Sequence, residues 1–174
     1  GHARFRRHFW LKLVGTTTFI SLFFVGYFQV LHVTSGEAKV MPLTLVDELV
    51  GFRPAALYAY ISLWVYVGLP QALLPTRREL FAYCAWIGAL CLAGLACFWA
   101  WPTAVPAHLV DTALHPGYAL IQGIDAPGNA CPSLHVATAA FSAVWLDRLL
   151  GEIGAGWRVR AFNWAWFAAI AWST

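Results

Sequence analysis

LFAYCAWIGALCLAGLACFWAW, residues 80–101, runs for 22 residues without an Asp, Glu, Lys or Arg. A helix of about 20 apolar residues covers the roughly 30 Å hydrocarbon thickness of a bilayer. Buried strands are much shorter, so a run of this length predicts a membrane-crossing helix. Gly88, Ala89, Ala93 and Gly94 give it a small-residue face for close helix packing. Arg77 and Arg78 precede the run and Pro102 follows it.

Outward from this helix the chain repeats the pattern. Apolar segments fall at Leu11–His32, Ala55–Leu74, Ser133–Leu150 and Val159–Thr174, which makes five spans in all. The last two are short and need tilt or help from neighbouring helices. Pro70 and Pro75 are expected to kink and end the second span. The first is too long for a signal-peptide core and reads as an anchor. Over the whole chain 60% of residues are hydrophobic and 11% are charged. Soluble domains carry about 25% charged residues, so composition excludes one here. The fold class is all-α, a polytopic membrane helix bundle forming a single domain over residues 1–174.

Charge placement orients the bundle. Arg4, Arg6, Arg7, Lys12, Arg77, Arg78, Arg148, Arg158 and Arg160 share one side if the spans alternate, leaving Lys39 and Arg53 on the other. The positive-inside rule puts the former side, with the N-terminus, in the cytoplasm. Trp10, Trp99, Trp101, Trp157 and Trp172 fall near span ends, as an interfacial aromatic belt requires. The net charge of +3 is spread over these ends, and no nucleic-acid partner is expected. Cys84, Cys91 and Cys97 share one apolar run and Cys131 stands apart, with no CxxC or Cys/His spacing. Structural thiols are expected, and no metal or cofactor.

Chemistry concentrates in Asn129-Ala130-Cys131-Pro132-Ser133-Leu134-His135-Val136-Ala137. An ionisable side chain in a membrane helix marks a functional site by default. A helix N-terminus also favours anions, because its first N–H groups lack intrahelical acceptors. Pro132 fits the first turn of the helix. Ser133 and the nearby backbone amides offer donors to phosphoryl oxygens, and His135 can serve as general acid or base. A capping serine and a histidine bonded to a neighbouring helix is the competing reading. The alternating topology places this motif at the outer face. The preceding loop, residues 102–131, is long enough to be functional and is expected to hold a short helix near Ala107–Leu114.

Within that loop His108 and His115 read either as interfacial histidines or as substrate contacts. Asp111 and Asp125 read as capping or turn residues. Arg53 is a candidate phosphate ligand, since the guanidinium fork matches phosphate geometry.

The motif resembles the second signature of the type 2 phosphatidic acid phosphatase (lipid phosphate phosphatase) superfamily. Its Pro-Ser-Leu-His form is typical of the branch that includes inositol phosphorylceramide synthases. Phe98–Pro106 resembles the proline-rich element of that branch, Pro42–Tyr60 the entry to its second span, and Ser173-Thr174 the opening of its third signature. The resemblance implies six helices and a metal-independent site at the outer leaflet. It also implies a phosphohistidine formed by a third-signature histidine. Carried over, His135 protonates the leaving alkoxide and Ser133 binds phosphate; Leu134, Arg53 and His108 are the further candidate substrate contacts.

The third signature and sixth span are expected after Thr174, so the 174 residues by themselves are expected to be inactive. No Lys or Arg occurs between Pro102 and Leu146, where the usual first signature would supply cations. The implied function is hydrolysis of a lipid phosphate ester or pyrophosphate, with lipid as substrate and surroundings. The location would be an inner or plasma membrane, with the site on the non-cytoplasmic face. Two alternatives remain open: a phosphotransferase acting on a lipid hydroxyl, and a non-catalytic lipid-binding membrane protein.

Overall fold

The structure is a computed structural model that describes residues 8–42, 56–106 and 128–174. Among these residues the chain forms helices α1 (Phe9–Thr34), α2 (Ala56–Leu73), α3 (Arg77–Ala100), α4 (Leu134–Glu152) and α5 (Trp157–Ser173). Two short strands, β1 (Lys39–Val40) and β2 (Thr103–Ala104), follow α1 and α3. The helices coincide with the five apolar segments to within three residues at each end. α1, α2 and α3 are long and apolar enough to cross a membrane. α4 and α5 span 19 and 17 residues and carry Asp147, Arg148 and Glu152, and Arg158 and Arg160. The helix expected near Ala107–Leu114 lies outside the described residues.

Local chemistry sets the boundaries. α3 starts at Arg77, ahead of its apolar run, because Thr76 caps it. The Glu79 amide donates to Thr76 Oγ1 at 3.2 Å, and that hydroxyl donates to Glu79 Oε2 at 2.6 Å. This reciprocal pair satisfies a donor the helix leaves free. α2 continues through Pro70 and stops at Leu73, two residues before Pro75. Lys12, which flanks α1 in the charge pattern, is 8% exposed, and its Nζ donates to the Ala72 carbonyl at 2.7 Å. A cation on the last carbonyls of α2 favours the negative end of that helix.

α2, α4 and α5 pack mutually, α3 lies against α4, and α1 lies against α3. Leu63 and Tyr66 of α2 close on Ala139, Ala143 and Leu146 of α4 and Ile170 of α5. A second cluster joins Leu80, Tyr83, Ile87 and Cys91 of α3 to Leu74 and Leu149. In lipid, apolar burial gives little net drive between helices, so small residues and interhelical hydrogen bonds matter more. Both are present. Ala139 and Ala143 are fully buried one turn apart. Asn163 Nδ2 donates to the Ala143 carbonyl at 2.9 Å, and Tyr66 Oη donates to Asn163 Oδ1 at 2.7 Å. Trp166 Nε1 donates to Ser62 Oγ at 2.9 Å. Asn163 thereby ties α2, α4 and α5 with one side chain.

The strands fix which helix ends meet. β1 and β2 pair in parallel, Lys39 opposite Thr103 and Val40 opposite Ala104. The C-terminal ends of α1 and α3 therefore share one end of the bundle. An antiparallel bridge from Ala104 to Gly128 brings the approach to α4 to the same end. At the opposite end Arg160 grips Asp147 through two bonds, at 2.8 and 2.6 Å. Arg148 there pairs with Glu152 at 3.0 Å and reaches Glu79 at 3.8 Å.

Candidate functional site

Thr103 holds the motif in place. Its carbonyl accepts from the Ala130 amide at 3.2 Å. Its hydroxyl accepts from the Cys131 amide at 2.8 Å and donates to the Cys131 carbonyl at 3.3 Å. The segment before α4 is thus laced onto β2, whose other edge carries β1. Thr103, in the stretch between Pro102 and Pro106, is the clamp for the motif. Two close approaches add to this. A Cβ on Gly94 would sit 2.5 Å from Leu134 Cδ2, and one on Gly128 would sit 2.5 Å from Leu31 Cδ1. Glycine at both positions lets α3 and α1 seat the motif segment.

Pro132 lies outside the helix, a correction to its expected place in the first turn. Ser133 takes the N-cap instead, because its Oγ accepts from the Val136 amide at 3.3 Å. Ser133, Leu134 and His135 are all half-buried at the start of α4. His135 Nε2 lies 2.9 Å from Tyr60 Oη, and the two rings sit 4.9 Å apart at 37°. Tyr60 is in the first turns of α2, so two helices meet at the imidazole. Both halves of the competing reading, a capping serine and a histidine bonded across helices, are therefore observed. They are compatible with chemistry, since a serine hydroxyl that accepts in a cap still has its O–H to donate.

Asn129, the first residue of the motif, is a second feature of the site. It adopts a left-handed backbone conformation, φ 58°, which Asn tolerates better than most residues. The residue is 8% exposed, and neither side-chain polar atom has a hydrogen-bond partner among the described residues. Of the described Lys and Arg residues, Lys39 alone sits at this end, on β1 and exposed. Arg53 and His108, the other expected substrate contacts, lie outside the described residues, as do Asp111, His115 and Asp125. The structure thus brings His135, Ser133 and Leu134 together with Tyr60, Thr103 and Asn129. The Tyr60 and Thr103 partners were invisible in sequence because they are 75 and 28 residues from the groups they bind.

No family model, curated protein or solved structure matches the chain.

Proposed function

We propose that the chain is an integral membrane lipid phosphate phosphatase, acting at the outer leaflet through a phosphohistidine. The observation that carries the reading is His135: an imidazole in the first turn of a helix, beside the hydroxyl at its N-cap, within an apolar bundle. Ser133 and the amides at the start of α4 would bind phosphoryl oxygens, and His135 would protonate the leaving alkoxide. The reading calls for a second histidine as nucleophile, which the resembled family carries in its third signature.

Several features support the membrane setting. Three helices have the length and apolarity to cross a bilayer. Trp99, Trp101 and Trp172 are exposed near the His135 end, and Trp10 and Trp157 near the other, as two interfacial belts would be. Arg77, Arg78, Arg148, Arg158 and Arg160 all lie at the end away from His135, the cytoplasmic end under the positive-inside rule.

The test is turnover by the natural gene product in nanodiscs, with lipid phosphates as substrates. His135→Ala is expected to lower phosphate release about 100-fold or more, as loss of a general acid does. An unchanged rate would remove His135 from the mechanism. Product that forms only when a lipid alcohol is added would move the reading to a phosphotransferase.

A further inference from the structure

His135 does not stand by itself at the start of α4. Tyr60 holds its Nε2 at 2.9 Å, from a different helix and through a ring contact as well as a hydrogen bond. The two residues are held by a packed core immediately beneath them, where Leu63 and Tyr66 of α2 meet Ala139 and Ala143 of α4. The imidazole therefore has both its position and one ring nitrogen specified by α2. A charged imidazole donates from both nitrogens, so in that form Nε2–H can only donate to the tyrosine oxygen.

We propose that Tyr60 is the positioning residue of the reaction: it retains the Nε2 proton of His135 and so makes Nδ1 the nitrogen that protonates the leaving group. The inference rests on the phosphatase reading. In the step, the nucleophilic histidine that the phosphatase reading calls for forms a bond to phosphorus as the bond between phosphorus and the leaving oxygen breaks. The electron pair of that bond stays on the oxygen, which takes the Nδ1 proton. His135 is left neutral, with its remaining proton on Nε2 and hydrogen-bonded to Tyr60 Oη. The phosphoryl group passes to that second histidine, and water later releases it as phosphate. In the Ser-His-Asp triad a partner fixed on one ring nitrogen likewise orients the catalytic imidazole.

The test uses two substrates that differ in their need for an acid. An alkyl lipid phosphate has a strongly basic leaving group, whereas p-nitrophenyl phosphate expels a stable phenolate with little help. For Tyr60→Phe in the natural gene product, kcat on the alkyl phosphate is expected to fall about tenfold, the worth of one hydrogen bond. KM should hold, and kcat on p-nitrophenyl phosphate should change less than twofold. In a His135→Ala background, Tyr60→Phe should add nothing.

Equal losses on both substrates would make Tyr60 a purely structural residue and overturn the proposal, as would no loss on either. If His135→Ala is selective for the alkyl substrate while Tyr60→Phe is not, only the Tyr60 assignment falls. If His135→Ala leaves both rates intact, or the natural protein releases no phosphate, the phosphatase reading falls and takes this proposal with it.

Discussion

Gly94 of α3 and Leu134 of α4 meet so closely that a Cβ on Gly94 would lie 2.5 Å from Leu134 Cδ2 and 2.9 Å from its Cγ. Leu134 sits between Ser133 and His135, so this contact seats the motif from below. Gly88, six residues earlier on α3, faces Phe19 with ordinary clearance of 3.7 Å.

Gly94→Ala is therefore expected to push the start of α4 off α3. Overpacking of this kind costs about 1–3 kcal/mol, and it also shifts His135 relative to Tyr60. Thermal unfolding in detergent, run alongside phosphate release, checks both effects. Gly88→Ala is the matched control and should leave both unchanged. Equal behaviour of the two variants would show that the Leu134 contact is not decisive.

Thr103→Val keeps the shape of the side chain and deletes its two hydrogen bonds to Cys131. The Cys131 amide loses the hydroxyl that accepts it, at a cost of about 1–3 kcal/mol. Hydrogen exchange at the Ala130 and Cys131 amides should quicken while α3 stays protected. Unaltered exchange at those amides would mean that the clamp does not hold the segment.

Asn163 and Trp166 provide a graded comparison. Asn163→Leu removes the side chain that joins three helices and leaves Tyr66 Oη without Asn163 Oδ1. Trp166→Phe breaks the single bond to Ser62. Interhelical bonds in a bilayer average about 0.6 kcal/mol and reach about 1.7 kcal/mol. The Asn163 variant should lose more stability than the Trp166 variant in a detergent or denaturant titration, and the reverse order would discount the buried network.

Cys131 is exposed at the motif end of the bundle. In a variant keeping Cys131 as its one cysteine, a membrane-impermeant maleimide should label intact cells. Labelling seen only after the membrane is opened would reverse the orientation and place His135 on the cytoplasmic side.

Much of this architecture was legible in the sequence, because an apolar run long enough to cross a bilayer is a one-dimensional signal. A segment must be apolar and about 20 residues long to cross, so composition and length located the helices. The errors fall where a polar side chain outranks hydropathy. Thr76 and Glu79 extend α3 three residues ahead of its apolar run, and Ser133 claims the N-cap that leaves Pro132 outside α4. Lys12 was legible as a flanking charge, but its work on the Ala72 carbonyl was not. The parallel pairing of β1 with β2 was also unpredicted, since two-residue strands leave no periodic signature.

The sequence by itself determined where the five helices among the described residues run, to within three residues at each end, and that Ser133 and His135 open one of them. Hydropathy, charge placement and capping chemistry are local and are written along the chain. Only the tertiary structure decided which groups surround that opening. Tyr60 reaches His135, Thr103 clamps Cys131, and Gly94 admits Leu134 because helix packing brings distant segments to one end. No spacing rule in the sequence encodes that convergence; it follows from the side-chain volumes and hydrogen bonds of five helices packed at once.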